Sequence, residues 1–117
     1  MAAPNIVNVT TITGKTAVLA VTTSATAIVT NPSASNKVFK INALYVANVD
    51  GAVSADISVA LFRSSVSYEL AHTVSVPADA TLDVISKSIY LEEGDELRLT
   101  ASANGDLEAV CSYEEIS

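Results

Sequence analysis

One segment constrains what this chain can fold into more than any other, and it covers residues 91–115. Apolar and polar residues alternate there along residues 97–104 and again along residues 107–113. Because successive side chains of a β-strand point to opposite faces, each half predicts a strand with one buried face. Asn104-Gly105 between them is a typical tight-turn sequence, so we expect the two strands to form a β-hairpin.

The same alternation recurs along most of the chain, with turn signals at intervals of about 8 to 12 residues. Predicted strands cover residues 5–12, with an end at Gly14, and residues 15–22, 26–30, 38–49, 57–61, 66–76 and 81–91. No apolar row persists at the i, i+3, i+4, i+7 spacing of a helix, even in the Ala-rich residues 17–27. The pattern indicates eight or nine strands.

The longest of these runs, residues 38–49, departs from simple alternation. One face carries Phe39, Ile41, Ala43 and Tyr45, yet the opposite face also becomes apolar in the second half of the run. A strand that is apolar on both faces is covered on both sides or contains an extra residue. We therefore expect a central strand with partial cover on both faces, or a bulge at its middle.

Residues 81–91 alternate and then change phase, which predicts a bulge or a strand that passes from one sheet to another. Strands of this number and spacing are typical of sandwiches and closed barrels. We predict an all-β fold, a single-domain antiparallel β-sandwich that is most similar to a jelly roll. Residues 1–12 would form an N-terminal arm or a first strand, and residues 13–117 the sandwich.

Composition limits the class of protein. Half of the residues are hydrophobic and the chain has one Cys, so we expect a core built without disulfides. The formal net charge of −7 opposes binding to the phosphates of DNA or RNA, which depends on Lys and Arg. The first residues do not resemble a signal peptide, and no apolar run reaches the roughly 20 residues that cross a bilayer. We expect a soluble protein made in a cytoplasm, with no membrane or nucleic-acid partner.

Three features carry residue types that could do chemistry, and for each a structural interpretation is favoured. His72 has the side chain of a general base or metal ligand, but it is the only His of the chain. Cys111 shares a strand face with apolar neighbours, which favours a buried structural thiol. The acidic residues 92–96 could hold a calcium ion. They fit better a turn in which Gly94 takes a positive φ and the acids stay in water.

No constellation of catalytic residues accompanies these features. The sequence contains no evident Ser-His-Asp set and no glycine-rich phosphate loop. Paired carboxylates for glycoside hydrolysis could be drawn from its 13 acids. Sugar sites usually add aromatic platforms, however, and the chain has no Trp, 4 Tyr and 2 Phe. We therefore predict that the protein is not an enzyme and that it binds no cofactor or metal.

Four segments carry a family resemblance: residues 46–51 (VANVDG), 71–84 (AHTVSVPADATLDV), 89–101 (IYLEEGDELRLTA) and 112–117 (SYEEIS). Together they resemble a family of small virion structural proteins of tailed bacteriophages. The resemblance spans residues 38–117 and is most distinctive in EEGDELRLTA and SYEEIS. It implies a component of the virion that is present in many copies and has no enzymatic site.

Within the virion, the resemblance favours a capsid decoration (cement) protein that binds the outer surface of the head and stabilises the shell. Its expected partners are the major capsid protein or other virion proteins, and further copies of itself in a homotrimer. Two alternatives stay open. One is an accessory protein of the tail, neck or baseplate, and the other is a receptor- or glycan-binding module at a fibre tip.

The contacts of such a protein are predicted from two places in the sequence. Residues 1–9 have few charges and are either a floppy terminus or an arm that adds to the sheet edge of a neighbour. The second place is an apolar patch around Tyr45 or Tyr68. The candidate interface residues are Pro4, Ile6, Val7, Tyr45 and Tyr68.

Overall fold

The computed structural model describes residues 5–117, and the structural statements below refer to these residues. The strands are β1 (Ile12–Ala20), β2 (Thr26–Thr30), β3 (Val38–Asn48), β4 (Ala55–Arg63), β5 (Val66–Val76), β6 (Thr81–Asp83), β7 (Ile89–Leu91), β8 (Glu96–Ala101) and β9 (Leu107–Ile116). No helix occurs in this part of the chain. The all-β class predicted from the alternation is confirmed.

The nine strands form two antiparallel sheets. Sheet A has the order β1-β9-β3-β6, with β7 also pairing with β3, and sheet B has the order β2-β8-β4-β5. This order arises when a long antiparallel ribbon rolls up. In the ribbon β1 pairs with β9, β2 with β8, β3 with β6 and β7, and β4 with β5; rolling then brings β9 against β3 and β8 against β4. The fold is a jelly roll, as predicted.

Most connections cross between the sheets, and this corrects one prediction. β8 lies in sheet B and β9 in sheet A, so the hairpin expected around Asn104-Gly105 does not form. Gly105, at φ 86°, instead helps to carry the chain from one sheet to the other. Both strands do bury one face. Alternation reveals that a strand has a buried face, but it does not reveal which strand lies beside it.

The core lies between the sheets and is almost entirely aliphatic. Its side chains come from alternate positions of the central strands of both sheets, as a two-layer fold requires. The largest fully buried apolar side chains are Ile41, Leu44, Ile57, Leu91, Leu97, Leu99, Leu107, Val21, Val46, Val59 and Val76. Burial of these side chains is the main source of stability, at about 25 cal/mol for each Å² of apolar surface removed from water.

Of the two alternatives for the N-terminal residues, an arm or a first strand, the described residues do not form the strand. Residues 5–11 lie outside the strands, and β1 begins at Ile12 and runs through Gly14 without interruption. Thr11 exchanges two backbone hydrogen bonds with Ser117, at 2.9 Å each. β1 is an edge strand, and a Cβ added at Gly14 would meet no atom within 4 Å. The glycine is therefore accommodated inside the strand and does not end it.

β3 is central and contains the predicted bulge, but the alternative of cover on both faces is not found, because Tyr45 on its outer face is 46% exposed. The strand is central in sheet A, between β9 and the two short strands β6 and β7. Its register against β9 shifts at Asn42, because Ile41 pairs with Tyr113 and Ala43 already pairs with Ser112. The extra residue reverses the phase of the alternation, so Tyr45 points outward, opposite to the face that carries Phe39 and Ile41.

The change of phase in residues 81–91 has a simpler origin than a bulge. The segment is two short strands, β6 and β7, which pair with different parts of β3 in the same sheet. Between them the chain leaves the ladder, and Ile85 is buried there against the core. The strand does not pass to the other sheet, so that expectation was wrong.

Candidate binding surface

An exposed apolar surface lies on the outer face of sheet A. Val18 of β1 pairs with Val110 of β9, which pairs with Tyr45 of β3. All three side chains point away from the core, and Val18 is 75% exposed. Directly opposed side chains on one face of a sheet lie about 4.5–5.5 Å apart between their Cβ atoms. Val18, Val110 and Tyr45 therefore form a continuous line, named here the apolar row.

Small side chains flank the apolar row and keep this face shallow. Ala20 and Ala47 both lie beside Glu108 in the sheet register, and Thr16 and Ala43 both lie beside Ser112. A depression of about 300 Å³ follows the β1–β9 pair at one end of the row. Its lining is Val18, Leu19, Ala20, Glu108, Ala109 and Val110. This lining is apolar apart from Glu108. It offers area for contact, but it lacks the several converging polar groups that orient a small molecule in a binding pocket.

The outer face of sheet B has a different character. Arg98 lies 3.5 Å from the ring centroid of Phe62 and donates to Glu96 at 2.8 Å. A guanidinium over an aromatic face covers the ring and keeps its charge in water. Asp56, Ser58 and Thr100 continue this polar surface on β4 and β8. The two outer faces are therefore chemically distinct, and sheet A presents the apolar one.

The structure separates the residues that the sequence placed at an interface. Tyr45 is exposed in the centre of sheet A, whereas Tyr68 is exposed on β5, the edge strand of sheet B. The two tyrosines, which were predicted as alternative centres of an apolar patch, thus lie on different sheets. Ile6 and Val7 are exposed on the N-terminal segment, with Val7 at 83%. Pro4 lies outside the described residues.

His72 lies at an irregular point of β5, where the register against β4 shifts. Its Nδ1 is 3.2 Å from Oε1 of Glu69, and the imidazole is largely in solvent. No group of three or more His, Cys, Asp or Glu side chains in residues 5–117 is placed to hold a metal ion. The interpretation of His72 as a strand histidine with a polar neighbour agrees with this geometry.

Cys111 is buried in the core, as its strand face predicted. Burial raises the pKa of the thiol to about 11, because the thiolate would lose its hydration. The thiol is therefore protonated near neutral pH. A reactive cysteine needs the opposite environment, which is partly exposed and electropositive.

The acidic loop is only partly as predicted, because one of its acids is not in water. Gly94 has the expected positive φ, at 87°. Asp95, however, is only 2% exposed and accepts hydrogen bonds from Arg63 Nε at 2.8 Å and from the backbone N–H of Glu92 at 2.8 Å. Arg63 also donates to Glu92 at 2.8 Å. Arg63 therefore satisfies Asp95 and joins the loop to the end of β4.

A second charge cluster fixes the end of the β1–β9 pair. Glu115 lies 2.9 Å from Lys15 Nζ and 3.2 Å from Lys37 Nζ. Burial alone would raise the pKa of Glu115, but the hydrogen bonds and charges of the two lysines outweigh it and lower that pKa. The same contact raises the pKa of Lys15, first through its hydrogen bond with Glu115. Glu115 therefore holds two lysines from different parts of the chain, on β1 and on the loop before β3.

The described part of the chain contains no helix that is long and apolar enough to span a membrane. No family model and no curated protein sequence matches the chain. Among solved structures, a protein of Bacillus endospore appendages, a family of disulfide-linked pili, aligns with a TM-score of 0.54 at 13% identity, over 92% of this chain and 88% of that one. This likeness shows a shared fold only.

A second solved structure is the nucleoplasmin-like N-terminal domain of Drosophila FKBP39. It aligns with a TM-score of 0.44 at 16% identity, over 87% of this chain and 85% of that domain. The agreement is too low to support an argument about fold or function. The sequence and the surface of this chain must therefore carry any functional proposal.

Proposed function

We propose that this protein is a non-enzymatic structural component of a phage virion, and that it decorates the outer surface of the head as a cement protein. The family resemblance of residues 38–117 motivates the virion. The observation that carries a docking role is the apolar row Val18–Val110–Tyr45, exposed on a shallow sheet face with small flanking side chains. Such a face suits contact with another protein better than capture of a small molecule.

The proposed partners are the major capsid protein and two further copies of this chain in a homotrimer. A stable contact buries about 1,200–2,000 Å² in total, which is more than the apolar row alone provides. The row would therefore be the centre of a larger contact. A protein that binds only the assembled shell stabilises that shell by mass action, so its effect rises with occupancy.

The first test is copy number and position in purified particles. Quantitative mass spectrometry is expected to find hundreds of copies in each particle, and a cryo-electron-microscopy map is expected to place them on the head. A few copies on the tail would favour the tail, neck or baseplate alternative. A few copies at a fibre tip would favour the receptor- or glycan-binding module. Absence from purified particles would reject a virion role altogether.

The second test addresses the surface. Heads that lack the protein are incubated with the wild-type chain, with a Val18→Asp, Tyr45→Asp double variant, or with Val53→Asp as a control at an exposed loop valine. The double variant is expected to lose at least tenfold in affinity for heads, whereas the control binds normally. Cosedimentation measures the difference. Equal binding by all three chains would move the docking surface away from the apolar row.

A further inference from the structure

The two sheets of this fold have four edges, and three of them are protected against pairing with another chain. β2 has five residues and a register shift after Ala27. β6 and β7 have three residues each and are separated along β3. β5 is longer, but its register against β4 shifts twice and Thr73 takes a positive φ of 47°. Short, bulged and interrupted edges are the usual means of preventing sheet extension.

β1 is the exception. Its nine residues pair with β9 without any register shift, from Ile12–Ile116 to Ala20–Glu108. It contains no proline, and its one charged residue, Lys15, is held by Glu115. A long and regular edge strand of this kind is open to addition of another strand.

The register also shows which backbone groups of β1 are free. Thr11 exchanges both of its backbone hydrogen bonds with Ser117, so odd-numbered residues face β9 and even-numbered ones face away. The N–H and C=O groups of Ile12, Gly14, Thr16, Val18 and Ala20 therefore point to the open side. Within residues 5–117, β1 pairs with β9 alone.

The N-terminal segment has the complementary property. Residues 5–9 (Asn-Ile-Val-Asn-Val) are rich in β-branched side chains, yet they belong to no strand. Ile6 and Val7 are exposed, and the hydrogen bonds of Asn5 are local, to the N–H groups of Asn8 at 3.0 Å and Val7 at 2.9 Å. The chain is then tied at Thr10 and Thr11 to Ser117. Extension of this short segment would break few contacts.

We infer that residues 5–9 of one copy add as a strand to the open edge of β1 in a neighbouring copy. Five extended residues span about 17 Å, roughly half of β1. Alternate side chains of the added strand would cover Ala17 and Leu19, which are only partly buried at the rim of the core. The others would lie beside Val18 and widen the apolar row. The inference deepens the proposed self-association and rests on it.

This contact joins two different surfaces, an arm and an edge, so successive copies are related head to tail. A head-to-tail contact produces a ring when its rotation closes, which is compatible with the proposed homotrimer. Direct pairing of two β1 edges would instead be symmetric and would leave Ile6 and Val7 exposed. The two modes of association differ in one respect: only the first requires residues 5–9, called the arm in the test below, for an oligomer to form.

The test uses the purified full chain without any virion, so its outcome is separate from the test of head binding. Sedimentation velocity is expected to show an oligomer for the wild type. The edge variant Thr16→Pro removes a free N–H and leaves the bonds to β9, and the arm variant carries Ile6→Asp and Val7→Asp. Both are expected to be folded monomers. Val66→Lys, at an exposed valine of edge β5, is the control and stays oligomeric.

Mixing the two monomeric variants gives the decisive measurement. The edge variant keeps an intact arm and the arm variant keeps an intact edge, so one contact can form and native mass spectrometry is expected to find a heterodimer. An arm variant that stays oligomeric would overturn the inference in favour of β1–β1 pairing. A monomeric wild type at the highest soluble concentration would overturn it as well. If Thr16→Pro fails to fold, Val18→Lys replaces it as the edge variant.

Discussion

Asp95 and Arg63 form one ion pair, but the two side chains differ in their access to water. The carboxylate of Asp95 is almost fully buried, whereas the guanidinium of Arg63 is 40% exposed. Removal of the carboxylate leaves a cation that water can still reach. Removal of the guanidinium leaves a buried anion without its charge partner, which is the more costly change.

We therefore expect Arg63→Met to lower the free energy of unfolding by about 3–5 kcal/mol at neutral pH. Arg98→Met is the matched control, because Arg98 also pairs with an acid but lies on the outer face of sheet B. Its loss should cost about 1 kcal/mol or less. Urea unfolding followed by circular dichroism measures both values. Equal losses of unfolding free energy in the two variants would show that the burial of Asp95 does not set the cost of removing its partner.

The lysine-bound Glu115 predicts how stability responds to acid. Its pKa is lower in the folded chain than in the unfolded one, so the ionised group stabilises the fold above its ordinary pKa of about 4.5. This contribution is lost as the pH falls through the lowered pKa of the folded chain. In Glu115→Gln, thermal unfolding is expected to depend less on pH below about 4.5 than in the wild type. An identical slope for both chains would show that Glu115 does not contribute.

Residue-scale features were predictable where they depend on neighbours in sequence. The positive φ of Gly94 followed from a Glu-Glu-Gly-Asp turn, and the burial of Cys111 followed from strand alternation. The burial of Asp95 was not predictable, because its partner Arg63 lies 32 residues earlier. An arginine that ends an apolar strand was the available signal, but many strands end in a solvated charge.

At the scale of elements, the β4–β5 hairpin has a turn that its residues do not favour. Ser64 and Ser65 both take positive φ, at 52° and 62°, as a two-residue type I′ turn requires. Asn-Gly is the preferred pair at these positions, since left-handed backbone costs other residues about 1–2 kcal/mol each. The fold therefore holds some strain in this turn.

Replacement by Ser64→Asn and Ser65→Gly is expected to stabilise the protein by about 0.5–1 kcal/mol, after the entropy cost of Gly. Ser64→Val should change stability in the opposite direction, because β-branched residues are rarely found at positive φ. The midpoint of thermal unfolding measures both. A double variant that melts below the wild type would show that the serine side chains make contacts that offset the strain.

The bulge in β3 predicts an unusual tolerance to deletion. Removal of Asn42 would place Ile41 and Ala43 at consecutive positions opposite Tyr113 and Ser112, which restores a regular ladder. Leu44 would stay inside and Tyr45 outside. We expect this deletion to keep the fold and to cost about 1 kcal/mol or less. Deletion of Tyr45, where no bulge exists, reverses the following side chains and should unfold the protein. Circular dichroism distinguishes the two outcomes.

Elements were predicted in number and in most of their positions, since alternation and turn residues are local signals. Their partners were not. The pattern of β8 and β9 suited a hairpin equally well, and only the cross-sheet pairing of both strands shows that they separate. The start of β1 was misplaced because Gly14 suggests a turn, whereas an exposed edge strand accepts glycine without a steric conflict.

At the scale of the whole molecule, the two ends of the chain complete the same sheet. β9 lies between β1 and β3 and pairs with each along most of its length. A chain without residues 107–117 is expected to be unfolded by circular dichroism, since sheet A would lose its central strand. A chain without residues 1–9 keeps every strand and should remain folded. A folded product from the first truncation would contradict the central role of β9.

The roles proposed at this scale, as a decoration protein and as a homotrimer, rest on family resemblance and surface chemistry. The fold class followed from the sequence because eight or more short alternating strands leave few architectures. The apolar row could not be predicted from the sequence, because it depends on the register of β1, β9 and β3 and on the bulge that turns Tyr45 outward.

The late position of β9 has a consequence during synthesis. A ribosome adds about 5–20 residues per second, so the 86 residues between β1 and β9 take about 4 to 17 s to make. Throughout that interval β1 has no partner in its own chain, and copies on neighbouring ribosomes expose the same regular edge. The yield of native protein would then depend on two conditions. One is whether a chaperone covers β1 on the nascent chain, and the other is whether residues 21–106 are translated without pauses.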